Sequence, residues 1–271
     1  MSGDRFFYPN PLESDGQAKF NKGVNERSPW FDCSCCPVND VRFIPSIAGY
    51  IYATRENNLF VNLYVAGSAK CDLAGRPVTI KQETRYPWDG KVVLTLTAIG
   101  TTGEFTVKLR IPGWARNQPV PSDLYRYDDN LVLKQKLLVN GKQTEFQVVH
   151  GYASITRVWK AGDTLALDLE MPVRRVVSHS EVKANVNRFA VERGPVVYCA
   201  EGADNAGKVL GKVLPGSVRF QTEERPDLLG GIVAVKMTGR GNTGALTCIP
   251  YYIWCHRGAN EMRVWFPTKS D

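Results

Sequence analysis

No apolar run in this sequence approaches the roughly 18–20 residues that a membrane-spanning helix needs, so membrane insertion is not expected. The opening stretch, MSGDRFFYPNPLESDG, has no basic region followed by an apolar one and does not read as a signal peptide; a cytoplasmic or periplasmic location is the expectation. Basic blocks are missing too. The 34 Lys and Arg are interleaved with 27 Asp and Glu, so the net charge of +7 is spread along the chain. Nucleic-acid binding, whose footprint is a clustered basic face, is not expected. Histidine is scarce: His150, His179 and His256 stand alone, with no second imidazole near enough in sequence to suggest a paired metal site. The seven cysteines are odd in number and irregular in spacing, which argues against a secreted disulfide framework and for reduced or metal-held thiols. Cys71 and Cys199, lying singly in separate strands, are expected to be unbridged.

What is present is an ordinary globular composition, 43% hydrophobic and 23% charged in 271 residues, long enough for two domains. Residues 1–36 are rich in Pro, Asn, Gly and Ser and have no sustained period. A long irregular segment of that kind is uncommon in a compact domain unless it lines a functional surface. A helix is predicted from Pro37 to Tyr52, with Ile44, Ile47, Ala48 and Ile51 on one face and Pro45 kinking it or shortening it to a later start. From Leu59 the period becomes two. In LFVNLYV the residues Leu59, Val61, Leu63 and Val65 alternate with Phe60, Asn62 and Tyr64. In EFTVKLRI the inward set is Phe105, Val107, Leu109 and Ile111; in DTLALDLEM it is Leu165, Leu167, Leu169 and Met171. Asn140-Gly141 is a hairpin signal and KAGDT a turn. A second strand-rich block runs from Arg188 through GPVVYCAE, GIVAVKM and NEMRVWFP, after a more polar stretch at 174–187. The residues alone predict a mainly β chain: a loop and one helix, then two antiparallel β-sandwiches.

The chemistry concentrates in FDCSCCPVND, residues 31–40, where three of the seven cysteines fall within four positions. Cys35 and Cys36 sit where the predicted helix begins, and the backbone N–H groups and dipole there favour a thiolate. A metal favours it more strongly. Closed zinc sites usually draw four ligands from two separated pairs, and no second pair is evident. Small buried cysteines that merely pack are an equal alternative. Cys248, Cys255 and His256 form a weaker candidate, since CIPYYIWCH reads more simply as an aromatic strand. Asp32, Asp40 and Glu13 are carboxylates near the cluster whose geometry sequence does not fix. Residue chemistry therefore reaches a candidate zinc–thiolate site beside two sandwiches.

The order of RFFYPNPLES, WFDCSCCPVN and IAGYIYATRENNLFVNLYV, followed by YPWDGKVVLTL, LRIPGWA, GDTLALDLEMPVRRV, ERGPVVYCAEGADN and IPYYIWCHRGANEMRVW, resembles the zinc- and cysteine-dependent β-L-arabinofuranosidases of glycoside hydrolase family 127. The likeness covers nearly the whole chain and is weakest over 117–150, which looks like an insertion. It implies an (α/α)6 catalytic barrel followed by two β-sandwiches, with this chain corresponding to the carboxyl-terminal portion. By the same resemblance Cys35 matches the nucleophile and a zinc ligand, Cys36 a further zinc ligand, and Tyr8 a substrate contact. Cys33 has a counterpart in relatives but no ligand's role. The implied divisions are 1–53, a barrel remnant carrying the cysteines; 54–173, the first sandwich; 174–187, a connector packing towards the barrel; and 188–271, the second sandwich. The implied activity is retaining hydrolysis of arabinofuranosides in plant glycans or glycoproteins, with Zn2+ as cofactor. The acid/base glutamate and the remaining zinc ligands lie outside this stretch, so the chain alone is expected to be inactive without a complementing barrel fragment. The other reading is a non-catalytic carbohydrate-binding or structural β-sandwich protein, with Trp88, Trp114 and Tyr125 as candidate sugar-facing aromatics.

Overall fold

The computed structural model describes residues 4–33, 35–101, 103–239 and 245–269. They fall into two compact units, one of residues 39–118 and 131–171, the other of residues 1–38, 119–130 and 172–271.

The first unit is a β-sandwich of six and five strands. The six-stranded sheet runs Lys142–Gln143, Gln135–Val139, Thr164–Leu169, Lys91–Ile99, Arg76–Thr84, Gly67–Leu73; the five-stranded sheet runs Val148–Val149, Tyr152–Trp159, Gly103–Arg110, Asn58–Val61, Tyr52–Arg55. Successive strand side chains point to opposite faces, so period-two sequences bury one face each. Leu165, Leu167 and Leu169 are buried opposite Val92, Leu94 and Leu137, while Phe105, Val107 and Leu109 fill the core from the second sheet. The expected phase of these two strands is correct. Met171 lies beyond the end of its strand and is only half-buried. The LFVNLYV stretch departs further: its strand stops at Val61, and past that point Tyr64 is buried while Val65 is exposed. One pairing, Asn58–Val61 on Gly103–Arg110, is parallel rather than antiparallel. Asn140 and Gly141 both have positive φ, 51° and 75°, as a tight two-residue hairpin turn requires. Gly90 is buried because the backbone of Leu169 leaves no room there: an added Cβ would fall 1.8 Å from the Leu169 carbonyl oxygen.

The helix begins at Cys35, two residues before the expected start, and runs to Ser46; Pro45 ends it, and a short turn follows at Ala48–Ile51. None of its residues is buried, and Val41, Phe43 and Ile44 are largely open.

In the second unit the strands join into one eleven-stranded sheet. Its main path is Leu214–Pro215, Phe266–Lys269, Arg188–Arg193, Val196–Glu201, Leu246–Pro250, Ile232–Thr238, Arg219–Arg225. The core that it surrounds contains Phe189, Tyr198, Val235, Met237, Cys248 and Phe266. Two readings change here. Residues 174–187 are not an irregular connector throughout, because Val173–Ser178 is a strand on Arg188–Arg193. The apparent insertion contributes a strand to this unit, Tyr125–Tyr127, which pairs with Val173–Ser178. It is locked by the buried guanidinium of Arg174, which lies 3.6 Å from the Tyr127 ring centroid and binds Asp129 through two nitrogens, while the Tyr127 hydroxyl donates to Glu192 Oε1 at 2.8 Å. Residues 1–38, from the stretch 1–53 expected as a barrel remnant, cluster with this β unit.

Candidate active site

The segment 4–33 has almost no regular structure, yet it is held at many points. Asn21 is fully buried and uses both ends of its amide. Its Oδ1 accepts the Tyr8 backbone N–H at 2.7 Å, and its Nδ2 donates to the carbonyls of Glu26 at 2.8 Å and Phe6 at 3.4 Å. A buried amide satisfied this way replaces the hydrogen bonds that a helix or sheet would otherwise supply. Phe6 and Ser28 exchange backbone hydrogen bonds at 2.9 and 3.0 Å, and buried Phe31 meets Phe6 and Tyr8 edge-on at 5.2 and 5.4 Å.

The carboxyl-terminal strands anchor this fold. Glu13–Asp15 pairs with Glu261–Arg263, and Glu13 accepts from Arg263 at 3.0 Å and Arg188 at 3.3 Å. The Tyr251 hydroxyl donates to the Pro11 carbonyl at 2.8 Å. Arg27 donates to the carbonyls of Trp254 and Tyr252, each at 2.9 Å, and its guanidinium lies 4.6 Å from the Phe7 ring. Phe7 also stacks on the Trp254 indole at 4.7 Å and lies 5.5 Å from the Phe20 ring. CIPYYIWCH is thus not one aromatic strand. It leaves the sheet at Pro250 and turns, with Cys255 in the left-handed region at φ 62°. Glu201, completely buried, holds that turn through one carboxylate oxygen on the Cys255 N–H at 2.6 Å and Asn260 Nδ2 at 3.0 Å, and the other on Arg257 at 2.6 Å.

Tyr8 and the cysteines meet at the end of this frame. Tyr8 Oη lies 3.4 Å from Cys35 Sγ and 3.9 Å from Cys33 Sγ; Cys33 and Cys35 sulfurs are 3.5 Å apart, and Cys35 and Cys36 sulfurs 3.8 Å. All three thiols are exposed and none is in a disulfide. Hydrogen bonding to Cys35, then to Cys36 and Cys33, together with the Cys33 charge, holds the Tyr8 phenol well above its ordinary range. The protonated phenol is thereby favoured, and between it and Cys35 either atom can be the donor. Lys22 Nζ lies 4.4 Å from the Tyr8 ring centroid. Beside the cluster an open groove of about 420 Å³ is lined by Lys22, Ser28, Trp30, Asp32 and Cys33. Trp30 is 60% exposed.

The other cysteines are different in kind. Cys199 and Cys248 are fully buried, and burial pushes both thiols up; Cys255, also buried, is pushed up to about 11. They are packing residues. Trp114 is buried with its Nε1 donating to the Tyr86 hydroxyl at 3.3 Å, so it offers no open ring to a sugar, while Tyr125 is half-buried and packs on Trp265 at 5.7 Å. The sequence reading singled out Tyr8, Cys35 and Cys36, and the structure brings them together. It missed Asn21, Arg27, Glu201 and Trp254, whose roles depend on partners that no local pattern reveals.

A zinc bound by two thiolates at about 2.3 Å in tetrahedral geometry sets their sulfurs roughly 3.8 Å apart. The Cys35–Cys36 separation of 3.8 Å fits that edge. Among the described residues no group of three His, Cys, Asp or Glu is arranged to hold a metal ion, so an ion held by this pair would need further ligands from elsewhere.

Sequence and structure comparison show the family to which this chain belongs. Residues 1–49 match the profile of the beta-L-arabinofuranosidase GH127 catalytic domain, 58–171 that of the GH127 middle domain, and 173–267 that of the glycoside hydrolase family 127 C-terminal domain. A non-reducing end beta-L-arabinofuranosidase of Bifidobacterium longum subsp. longum is 31% identical, over 97% of this chain and 42% of its own length. Among solved structures, a GH127 beta-arabinofuranosidase matches at TM-score 0.90 with 41% identity, covering 98% of this chain and 42% of that one. A GH127 beta-L-arabinofuranosidase from Geobacillus stearothermophilus T6 matches at TM-score 0.83 with 37% identity, covering 98% and 43%. The chain belongs to glycoside hydrolase family 127 and corresponds to the carboxyl-terminal portion of its β-L-arabinofuranosidase-like members. It spans 42% of the length of the curated relative. No described helix is long and apolar enough to cross a membrane, which says nothing about strands.

Proposed function

We propose that the complete protein is a retaining glycosidase of β-L-arabinofuranosides, acting on the arabinofuranoside units of plant glycans or glycoproteins, with Cys35 as nucleophile. The observation that supports this most is the Tyr8 hydroxyl 3.4 Å from the Cys35 sulfur, within the stretch that matches the family's catalytic domain. Cys35 and Cys36 would together hold a zinc ion, which when bound keeps a thiol ionised at neutral pH.

In the first step the Cys35 sulfur forms a bond to the anomeric carbon as the bond to the leaving oxygen breaks. A carboxylic acid supplied by the rest of the protein gives that oxygen its proton. Water, deprotonated by the same group, then displaces the sulfur, and two inversions give retention. Tyr8, kept protonated, donates towards the sulfur or towards a sugar oxygen arriving beside it, and the exposed Trp30 gives the groove an apolar surface for a sugar face.

This stretch by itself is proposed to lack turnover, since two thiolates make at most half of a four-ligand zinc shell. The exposed apolar residues Val41, Phe43 and Ile44 are the docking face for the remainder of the catalytic domain, as one chain or as a complementing fragment. The test is release of arabinose by the complete protein and by Cys35→Ser. The serine variant should lose turnover at least about a thousandfold, because a serine hydroxyl is far harder to ionise than a thiol. Full activity in that variant, or turnover by residues 1–271 alone at an enzymatic rate, rejects the proposal.

A further inference from the structure

The mechanism above gives Cys33 no part, yet its sulfur is closer to Cys35 than that of Cys36 is, 3.5 Å against 3.8 Å. The Tyr8 hydroxyl lies within reach of both Cys33 and Cys35, 3.9 and 3.4 Å from their sulfurs. All three thiols are exposed, so a small oxidant can reach them. A disulfide of about 2.05 Å needs the Cys33 and Cys35 sulfurs to close by roughly 1.5 Å, a distance covered by side-chain rotation.

Two bridges compete, and the backbone separates them. Cys35 and Cys36 are sequence neighbours inside the first turn of the helix Cys35–Ser46. A bridge between neighbours closes a very small ring and works against the planar trans peptide that joins them. Cys33 lies outside the helix, and a bridge between positions i and i+2 closes a larger ring, across two peptide bonds, than one between neighbours.

We propose that Cys33 is a resolving thiol for Cys35: a hydroperoxide oxidises Cys35, and Cys33 closes a reversible Cys33–Cys35 disulfide that withdraws Cys35 from both sugar and metal. The Cys35 sulfur attacks one peroxide oxygen, the O–O bond breaks, and the other oxygen leaves as water (or an alcohol) with the thiol proton, giving a sulfenic acid. The Cys33 sulfur then attacks the Cys35 sulfur, the S–O bond breaks, and the hydroxyl leaves as water with the Cys33 proton. Two thiols lose two hydrogens and one hydroperoxide is reduced. A thiol reductant reverses the bridge, whereas without a resolving partner oxidation continues to the irreversible sulfinic acid. The proposal rests on reading Cys35 as the functional thiol, but closing the bridge requires neither sugar nor zinc.

The test treats the 271-residue chain with about one equivalent of hydrogen peroxide, blocks the remaining thiols with iodoacetamide, reduces, and labels again with a heavier alkylating reagent before peptide mass spectrometry. Cys33 and Cys35 should carry the second label and Cys36 the first. Buried Cys199 and Cys248 serve as unreactive references. In Cys33→Ser, treated with about three equivalents of peroxide so that oxidation of Cys35 can pass the sulfenic acid, the second label on Cys35 should fall at least about tenfold, with sulfinic acid in its place. Second label on Cys35 and Cys36 as the pair, on any other pair, or on none overturns the proposal. The readout is independent of glycoside hydrolysis, so it can fail while the glycosidase reading stands, or succeed while that reading fails.

Discussion

Phe7 stacks on Trp254 with ring centroids 4.7 Å apart and planes 19° from parallel, and the Arg27 guanidinium covers the same phenyl ring at 4.6 Å. Tyr8 is the next residue. Its position against Cys35 therefore depends on a turn near the far end of the chain, and the irregular segment that carries it is held by the carboxyl-terminal β unit. Replacing Trp254 by Ala removes a buried indole from this clamp and should destabilise that unit by about 3–5 kcal/mol. Arg27→Gln should cost less, about 1–3 kcal/mol, since it removes hydrogen bonds from a charged donor to two carbonyls. Hydrogen exchange is the discriminating measurement: the Tyr8 amide, bonded to Asn21, should lose protection in both variants before the Tyr198 amide does. Unchanged protection at Tyr8 would show that the clamp does not order the segment.

Stability should fall as pH rises through neutrality because of Glu192. Burial pushes its carboxyl up to about 7, against the opposing effects of the Tyr127 hydrogen bond and the Arg174 charge. A carboxyl raised on folding binds its proton more tightly in the folded state. Its contribution is fully present below the unfolded value of 4.5 and is lost as pH passes through about 7. The loss is on the order of 2–3 kcal/mol for this group. Glu192→Gln should flatten the decline in denaturation midpoint between pH 5 and 8, and a slope identical to that of the unaltered protein would contradict the assignment.

Leu167 and Met171 belong to one alternating series but differ in burial, 2% exposed against half-buried. Leu167→Asp places an unpaired charge between the sheets and should cost several kcal/mol, enough to unfold this unit at 37 °C. Met171→Asp should cost about 1 kcal/mol or less. Urea midpoints of the two variants measure the contrast, and equal effects would mean that the strand continues past Leu169.

Gly90→Ala should destabilise the same unit by about 1–3 kcal/mol or more, because the added methyl would overlap the Leu169 backbone rather than a movable side chain. Thermal denaturation checks it; a midpoint within a degree of the parent would show that the two strands can separate at little cost.

The β character of the chain was legible without coordinates. Alternation in EFTVKLRI and TLALDL is a local property, and a half-buried strand has only one way to satisfy it. The hairpin at Asn140-Gly141 was equally legible, since it follows from the backbone preferences of two residues; Pro45 was expected to kink the helix or delay its start, and instead the helix ends one residue after it, at Ser46. Tyr8, Cys35 and Cys36 came from motif order and resemblance. What the tertiary structure alone decided is everything that depends on groups far apart in the chain. The strand Tyr125–Tyr127 looks like loop insertion until Arg174 and Glu192 supply its buried partners. CIPYYIWCH looks like a strand until buried Glu201 draws the Cys255 N–H into a turn and turns two carbonyls towards Arg27. Asn21, one amide among many in a polar segment, becomes the residue that holds Tyr8 because it is the one enclosed there. Period and turn chemistry are written residue by residue, whereas the satisfaction of a buried polar group depends on which distant partner reaches it.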